Sequence, residues 1–398
     1  MVSAPTNRAA GDDTADRARL HPQIVGGQGG AVYSPAVLRL RGQALALPAQ
    51  TTRAPRCARG ESFRHDGRRG RYRTRMRAAT HDRYGGPEVL RVEDVARPEP
   101  AQDEVRVRVH ASSVTRSDTG LRSAEYWFAR AFTGLRRPKR RIAGMEFAGV
   151  IEAIGASVTT FHVGEAVFGI KSGANAEYLC VQERGVLAPM PADMTFEEAA
   201  AVADGALTAM AFLRQAALQP DQRVLVYGAT GSIGTAALQL ARHLGAEVTA
   251  ACEAEHADLA RSLGATTVLD CRLVDVTSDE RRYHVILDAV GKLSAWQARR
   301  ALEPGGVYLT AGSAGSVLPV LVLWLVTRWI GTRRVRLGVA EYRNEDIVTL
   351  TGLIDRGAYR AVVDRSYPLE DVVEAHRYVD THRKIGNVVL VVRGEAAP

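Results

Sequence analysis

From Glu104 to Val114 the chain reads EVRVRVHASSV, apolar and polar residues alternating with the period of two that predicts a half-exposed strand. GVIEAIGASVTTFHVGEAVFG, residues 149–169, continues in strand-like pieces punctuated by Gly155, Gly164 and Gly169. Short strands at this spacing predict a small β-barrel or sandwich. Near Thr195 the pattern changes. In TFEEAAAVADGALTAMAFLRQAAL, residues 195–218, Thr195 and the acidic pair Glu197 and Glu198 open one long helical stretch. Strands and helices then alternate. RVLVYGA is a strand of buried type, TGSIGTAALQLARHLG a helix ending at Gly245, AEVTAACE a strand, and HADLARSLG a helix ending at Gly264. TTVLD, YHVILDAVG and GGVYLTAG follow as strands, so this half predicts a doubly wound parallel sheet in an α/β protein. Beyond about residue 338 come a further helix, EDIVTLTGLIDRG, and a closing segment that ends in NVVLVV.

Composition changes this picture mainly at the N-terminus. A chain of 398 residues, 46% hydrophobic and 24% charged, has the length and balance of an ordinary globular protein with two sizeable cores. Its +8 charge suggests nucleic acid until it is located. Residues 1–75 hold 14 arginines, no lysine and five acidic residues, a net +9, which leaves the rest near neutral at −1. Rich in Gly, Pro and Arg without periodicity, this leader reads as disordered. Three readings fit it: a targeting peptide, against which stand Asp12, Asp13 and Asp16; a basic arm in RHDGRRGRYRTR, residues 64–75; or a start of the protein at Met76. The folded body itself gives no reason to expect a nucleic-acid partner. Cys57, Cys180, Cys252 and Cys271 show neither CxxC nor zinc spacing. With no secretory apolar stretch at the N-terminus, the expected location is the cytoplasm.

The strongest chemical signal is VLVYGATGSIGTAALQLA, residues 224–241. Gly228, Ala229, Thr230, Gly231, Ser232, Ile233 and Gly234 form a turn between a buried strand and a helix, with Ala229 in the first glycine slot of GxGxxG. Such a turn must be tight, must let backbone approach a pyrophosphate at Gly231, and must let helix and strand close at Gly234. The helix N-terminus then offers free N–H groups and a positive dipole end to phosphate. NADPH or NADH is the expected cofactor. Its ribose should meet the end of the second strand, where Glu253 and Glu255 stand with no Arg or Lys before Arg261. A carboxylate there favours NADH, and a first-turn helix position explains the same two residues equally well.

RYGGPEVL, PKRRIAGMEFAGVIEAIG, EEAAAVADGALTAMAFLR, GATGSIGTAALQLAR, RSLGAT, YHVILDAVG and RSYPLEDVVEAHRYV occur in this order between residues 76 and 392. In this the chain resembles the medium-chain dehydrogenase/reductase superfamily, in particular its zinc-free quinone oxidoreductase-like branch. The resemblance implies a GroES-like β domain interrupted by a Rossmann domain. The expected boundaries are 76–200, 201–338 and a return segment over 339–393, after the leader at 1–75. Zinc-dependent members carry a cysteine after the first long strand, a His–Glu pair later and a four-cysteine lobe. Here Thr115 stands near the cysteine slot, Met145 stands at the histidine, and there is no cysteine cluster. Too few donors remain for a tetrahedral zinc site, so no metal is expected.

Without a Lewis acid, acceptors that take hydride readily become the expected substrates: a quinone or conjugated carbonyl, with an activated C=C bond of an enal or enoyl compound as the alternative. A reading of another class is a cofactor-binding redox sensor, or a nucleic-acid binder using the leader. The resemblance places Thr115 where relatives often have Asn, with Asp118 three residues on. Thr115 fits a hydrogen bond to a substrate oxygen; Asp118 fits either a catalytic place or a helix cap. Tyr126 fits a proton donor or an ordinary packed aromatic. The resemblance also places Thr208, Gly312 and Ser313 beside the nicotinamide and Val290 beside a cofactor ribose. Gly386 and Asn387 stand where relatives commonly read Gly-Lys, and Lys384 lies close by.

Residues 317–330, VLPVLVLWLVTRWI, are unusually apolar but meet Arg328 too soon to span a bilayer. A homodimer interface, a lid over the cleft and peripheral membrane contact all fit this stretch.

Overall fold

The computed structural model describes residues 74–125, 130–277, 281–312 and 317–392. Residues 1–73 of the leader, Tyr126 and Ser313 lie outside these. In chain order the strands and helices begin with β1 (Arg75–Thr80), β2 (Arg91–Ala96), β3 (Glu104–Val114), α1 (Arg116–Ser123), α2 (Arg130–Thr133) and β4 (Glu146–Ile154). β5 (Ala166–Ile170), β6 (Tyr178–Gln182), β7 (Val186–Pro189), α3 (Phe196–Ala199) and α4 (Ala203–Ala216) follow. The alternating half contains β8 (Arg223–Tyr227), α5 (Ser232–His243), β9 (Glu247–Cys252), α6 (Ala257–Ser262), β10 (Thr267–Asp270) and β11 (Tyr283–Asp288). It closes with α7 (Ala295–Arg300), β12 (Leu302–Thr310), α8 (Val317–Trp329) and β13 (Arg334–Leu337). α9 (Asn344–Asp355), β14 (Val363–Pro368), α10 (Val372–Asp380) and β15 (Asn387–Val391) complete the chain.

Six strands in the order β10-β9-β8-β11-β12-β13 form the doubly wound sheet, every neighbouring pair parallel. Val224, Leu225 and Val226 are all fully buried, as a strand covered on both faces requires. The order of strands reverses beside β8, so the carboxyl ends of β8 and β11 frame the crevice where such sheets bind ligands. A seven-stranded GroES-like sheet runs β14-β15-β3-β4-β5-β7, with β6 also on β3. β15 pairs antiparallel with β3, which returns the end of the chain to the sheet where it began.

Two local expectations are corrected. β3 is a central strand, flanked by β4, β6 and β15, so it is mostly buried rather than half-exposed. Arg106, polar in the alternating pattern, is buried with its guanidinium 2.5 Å from Glu99 and 3.5 Å from Glu152. The long helix expected from Thr195 is two helices. Thr195 and Glu198 make a capping box that starts α3, yet the helix breaks before Ala203. α4 has no cap from its own N-cap residue, Val202; the Asp204 N–H donates instead to Glu146 Oε1 of β4, at 2.6 Å. A carboxyl group from another element thus takes the N-cap place by accepting this otherwise orphan N–H.

Candidate active site

The crevice is built from three loops at the carboxyl ends of neighbouring strands. After β8, Gly228 takes a left-handed conformation, φ +73°, and a Cβ there would come within 2.6 Å of Val290 in the loop after β11. Asp288, the buried last residue of β11, holds that second loop by accepting from the N–H groups of Val290, Gly291 and Leu293 at 3.2, 2.8 and 2.9 Å. After β12, the Gly312 N–H donates to Thr310 Oγ1 at 3.3 Å.

The first loop fits a pyrophosphate. α5 starts at Ser232 without a side-chain cap, leaving first-turn N–H groups free for an anion. Ser232 Oγ is buried with no hydrogen-bond partner among the described residues. A buried orphan hydroxyl is costly, and a phosphate oxygen would satisfy it. A Cβ on Gly231 would meet nothing nearer than the Gly228 carbonyl at 3.7 Å, so open space faces that position. Gly234 is different: a Cβ there would lie 2.2 Å from Gly228 O and 2.7 Å from the Ala229 carbonyl carbon. Gly205 of α4 likewise lets Ser232 sit close, since a Cβ would come within 2.3 Å of Ser232 Oγ. The return segment closes the loop from the other side, the Gly386 N–H donating to Thr230 O at 2.7 Å.

Beneath this loop lies a buried polar cluster. Glu146 is fully buried and accepts from Ser113 Oγ and the Asp204 N–H. Burial, reinforced by neighbouring Asp204, pushes its carboxyl up to about 8. Asp204 is itself raised by burial and accepts from the Tyr342 hydroxyl, and Thr208 bonds to the same Tyr342. Asp118, pushed up to about 7 by burial, completes a trio of acids that repel one another. Lys384 is their counter-charge. Burial draws its ammonium down to about 8 although Glu146 and Asp204 pull the other way, and Nζ donates to Gly386 O.

The structure thus brings Asp118, Thr208 and the glycine loop around one cluster, and adds Asp204, Tyr342 and Lys384. Thr115 and Asp118 form the capping box of α1: Thr115 Oγ1 lies 2.8 Å from Asp118 Oδ2 and accepts from the Asp118 N–H at 3.1 Å. In the GMEF segment, Gly144 has φ +88° and a Cβ would fall 2.1 Å from Asn175 Oδ1, so only glycine fits. Met145 is half-buried against the main apolar core. Among the described residues the one group of His, Cys and carboxylates close enough to share a metal is Glu253, Glu255 and His256, away from Thr115 and Met145 in the chain. Glu253 itself carries a partner the sequence hides. Parallel pairing of β9 and β10 sets Asp270 opposite Cys252, and Arg272 Nη2 then lies 2.5 Å from Glu253 Oε2. Arg261 turns to Asp258 instead.

An alcohol dehydrogenase GroES-like domain model matches residues 101–192, and a zinc-binding dehydrogenase model matches residues 263–390. A quinone oxidoreductase of Pseudomonas aeruginosa is 31% identical over 324 residues, covering 77% of this chain and 97% of its own. The chloroplastic NADPH-dependent alkenal/one oxidoreductase of Arabidopsis thaliana is 27% identical over 331 residues, 79% of each chain. In fold, the quinone oxidoreductase structure from Coxiella burnetii matches with a TM-score of 0.72 at 23% identity, covering 80% of this chain and 100% of that one. The chain belongs to the medium-chain dehydrogenase/reductase superfamily, in its quinone oxidoreductase-like branch. It is an oxidoreductase of that family.

Proposed function

We propose that this protein is an NADPH-dependent reductase of quinones or conjugated carbonyls that works without a metal. The observation that carries the reading is the glycine loop at the switch point of the parallel sheet, with the buried Ser232 hydroxyl awaiting an acceptor. Residues 228–234 hold the pyrophosphate. Thr208 and Gly312 border the nicotinamide, Val290 borders a cofactor ribose, and Glu253 borders the adenosine ribose. Bound there, the reduced nicotinamide supplies the hydride.

The metal-free part rests on donor chemistry. Thr115, near the slot where zinc-dependent relatives carry cysteine, presents a hydroxyl already engaged with Asp118, and Met145 presents a thioether. Neither suits Zn²⁺, which prefers thiolate, imidazole and carboxylate. A simple alcohol or aldehyde then lacks its Lewis acid, whereas a quinone accepts hydride without one. Thr115 and Asp118 are the proposed proton-handling pair. Asp118 suits the role because a carboxyl raised to about 7 still holds a proton near neutral pH.

Arg272 selects the cofactor. Glu253 alone would repel a 2′-phosphate, but Arg272 neutralises it and offers that phosphate a guanidinium. Arg272→Gln is expected to weaken NADPH roughly tenfold or more, the worth of one charged hydrogen bond, and to leave NADH unchanged. Titration of both cofactors checks this; equal losses for the two would remove Arg272 from the ribose. Reduction of an activated C=C bond is the second reading, favoured by the likeness to the alkenal/one oxidoreductase. Cofactor oxidation with parallel quinone and enal panels separates the two. Tight NADPH binding with turnover in neither panel would overturn the reductase assignment.

A further inference from the structure

The turn between α2 and β4 gathers charge that the fold itself leaves unanswered. Between Glu125 and Glu146 the chain has no carboxylate but carries Arg130, Arg136, Arg137, Lys139, Arg140 and Arg141. Arg130 lies over the Tyr84 ring, 5.0 Å from its centroid. Arg141 belongs to a closed ring with Asp82, Arg91 and Glu93, in which each arginine meets both acids. Arg136, Arg137, Lys139 and Arg140 are exposed and have no ion pair among the described residues. The same holds for Arg83, which lines a cavity of about 430 Å³ together with Arg137. Val89 and Leu90 supply buried apolar wall to this cavity, the Asp82–Arg91 pair is already balanced, and Glu88 is its one further carboxylate.

The turn is fixed in shape. Gly134 has φ +128°, and a Cβ there would fall 2.0 Å from Arg137 O. The Lys139 N–H closes the turn on Thr133 O at 2.8 Å. The Tyr84 hydroxyl lies 2.9 Å from Thr133 Oγ1 and donates to Gly134 O at 2.7 Å. Both ends are fastened to segments that carry the candidate site. Beside Tyr84, the Gly85 N–H donates to Arg122 O of α1 and Arg122 Nε donates to Gly85 O, both at 3.2 Å. Thr115 and Asp118 stand at the other end of α1, about 12 Å away for eight residues of helix. On the other side Ile142 bridges to Thr80, and Gly144, Met145 and Glu146 follow.

Free guanidinium groups on a fixed turn suit phosphate, whose oxygens match the arginine fork, and little ordering is left to be done on binding. Nucleic acid is the poorer fit. Residues 76–398 sum to −1, so outside this turn the body is net acidic and repels a long polyanion. A ligand that fills both the turn and the site must be at least as long as α1, with phosphate at one end and a reducible conjugated carbonyl at the other. A simple quinone or a short enal has neither the length nor the charge. We propose that Arg136, Arg137, Lys139 and Arg140, with Arg83, form a phosphate subsite for the far end of the acceptor, and that this acceptor is an enoyl thioester on a phosphate-bearing carrier. The β-carbon takes hydride from NADPH and the α-carbon takes a proton, which leaves a saturated thioester and NADP⁺. This rests on the reductase reading and narrows its acceptor.

Calorimetric titration of coenzyme A into the full chain saturated with NADPH tests it. Saturation keeps the probe out of the cofactor crevice; pantetheine lacks the phosphates, and inorganic pyrophosphate lacks the long arm. Coenzyme A is expected to bind more tightly than either and to weaken as salt is raised. Arg136→Gln/Arg137→Gln/Arg140→Gln should melt at the wild-type temperature and lose coenzyme A by roughly tenfold for each arginine that meets phosphate. The same variant should raise KM for crotonyl-coenzyme A and leave its kcat, and turnover of crotonyl-pantetheine and of a quinone, unchanged. The basic leader is present throughout, so the difference between variant and wild type isolates the turn. A wild type that binds coenzyme A no better than pantetheine overturns the proposal, as does a triple variant that binds it like the wild type. Pyrophosphate that binds as tightly as coenzyme A would make the turn a bare phosphate site and overturn the acceptor assignment. Quinone turnover with none on crotonyl-coenzyme A overturns it too and leaves the reductase reading standing. Turn-dependent binding of coenzyme A with no turnover of any acceptor would uphold the subsite and remove the reductase reading.

Discussion

Gly231→Ala is expected to fold with wild-type stability and to lose NADPH. The backbone at Gly231 has φ −75°, a conformation alanine adopts freely, and beyond its own chain neighbours the added methyl would meet nothing nearer than the Gly228 carbonyl oxygen at 3.7 Å. The fold therefore has no reason to object. The pyrophosphate does, because the methyl projects into the cradle between the loop and the α5 N-terminus, where the ligand must approach backbone. A loss on the order of 100-fold in affinity, about 2.7 kcal/mol, is expected by fluorescence titration, with an unchanged melting temperature. Gly234→Ala is the contrasting variant. Its methyl meets the Gly228 carbonyl at 2.2 Å, backbone that cannot turn aside, so overpacking costs about 1–3 kcal/mol of stability as well as the cofactor. A Gly231→Ala protein that binds NADPH normally would place the cofactor elsewhere.

Glu146→Gln is expected to change how stability depends on pH more than it changes the contacts. In the unfolded chain Glu146 ionises near about 4.3. In the fold its carboxyl is pushed up to about 8 by burial and by Asp204. A carboxyl raised in this way favours the fold fully below its unfolded value, and the advantage is lost as pH rises through the folded one. The wild type should therefore lose stability as pH climbs through this window, and Asp118, raised to about 7, steepens the slope. Lys384 acts in a separate window. Its folded value, down at about 8, lies below the ordinary ~10.4, so its contribution is present above the ordinary value and is lost as pH falls through the folded one. Glutamine keeps an acceptor for the Asp204 N–H and cannot ionise. At about pH 5 the variant should melt close to the wild type, and at about pH 8 it should be the more stable, by on the order of 2–4 kcal/mol. Melts that show the same deficit at both pH values would mean that Glu146 is held as a carboxylate.

Much of this architecture is legible in the chain because it depends on local pattern. The β8 strand, the glycine turn and α5 follow one another within 21 residues, from Arg223 to His243, and each step is fixed by its own residues. Gly245, Gly264 and Gly357 mark helix ends because each takes positive φ just beyond the last turn. What the chain hides depends on register between distant segments. Arg272 reaches Glu253 only because β10 aligns with β9, so a search along the sequence for a nearby cation passes over it. The break between α3 and α4 is invisible for the same reason, since alanines and a valine fill the gap and the capping carboxyl group comes from Glu146, 58 residues away from Asp204. Tyr342 bonds to Asp204 from 138 residues away, and nothing in the text around either residue announces it. Glu146 finds its partners, the Ser113 hydroxyl and the Asp204 N–H, 33 and 58 residues away.

The proposed function requires hydride transfer without a metal. Its most direct test is NADPH oxidation with a simple quinone, followed at the nicotinamide absorbance, on protein stripped with a chelator and shown by elemental analysis to be metal-free. The same turnover is expected before stripping, after stripping and after zinc is added back. Turnover that disappears on stripping and returns with zinc would contradict it.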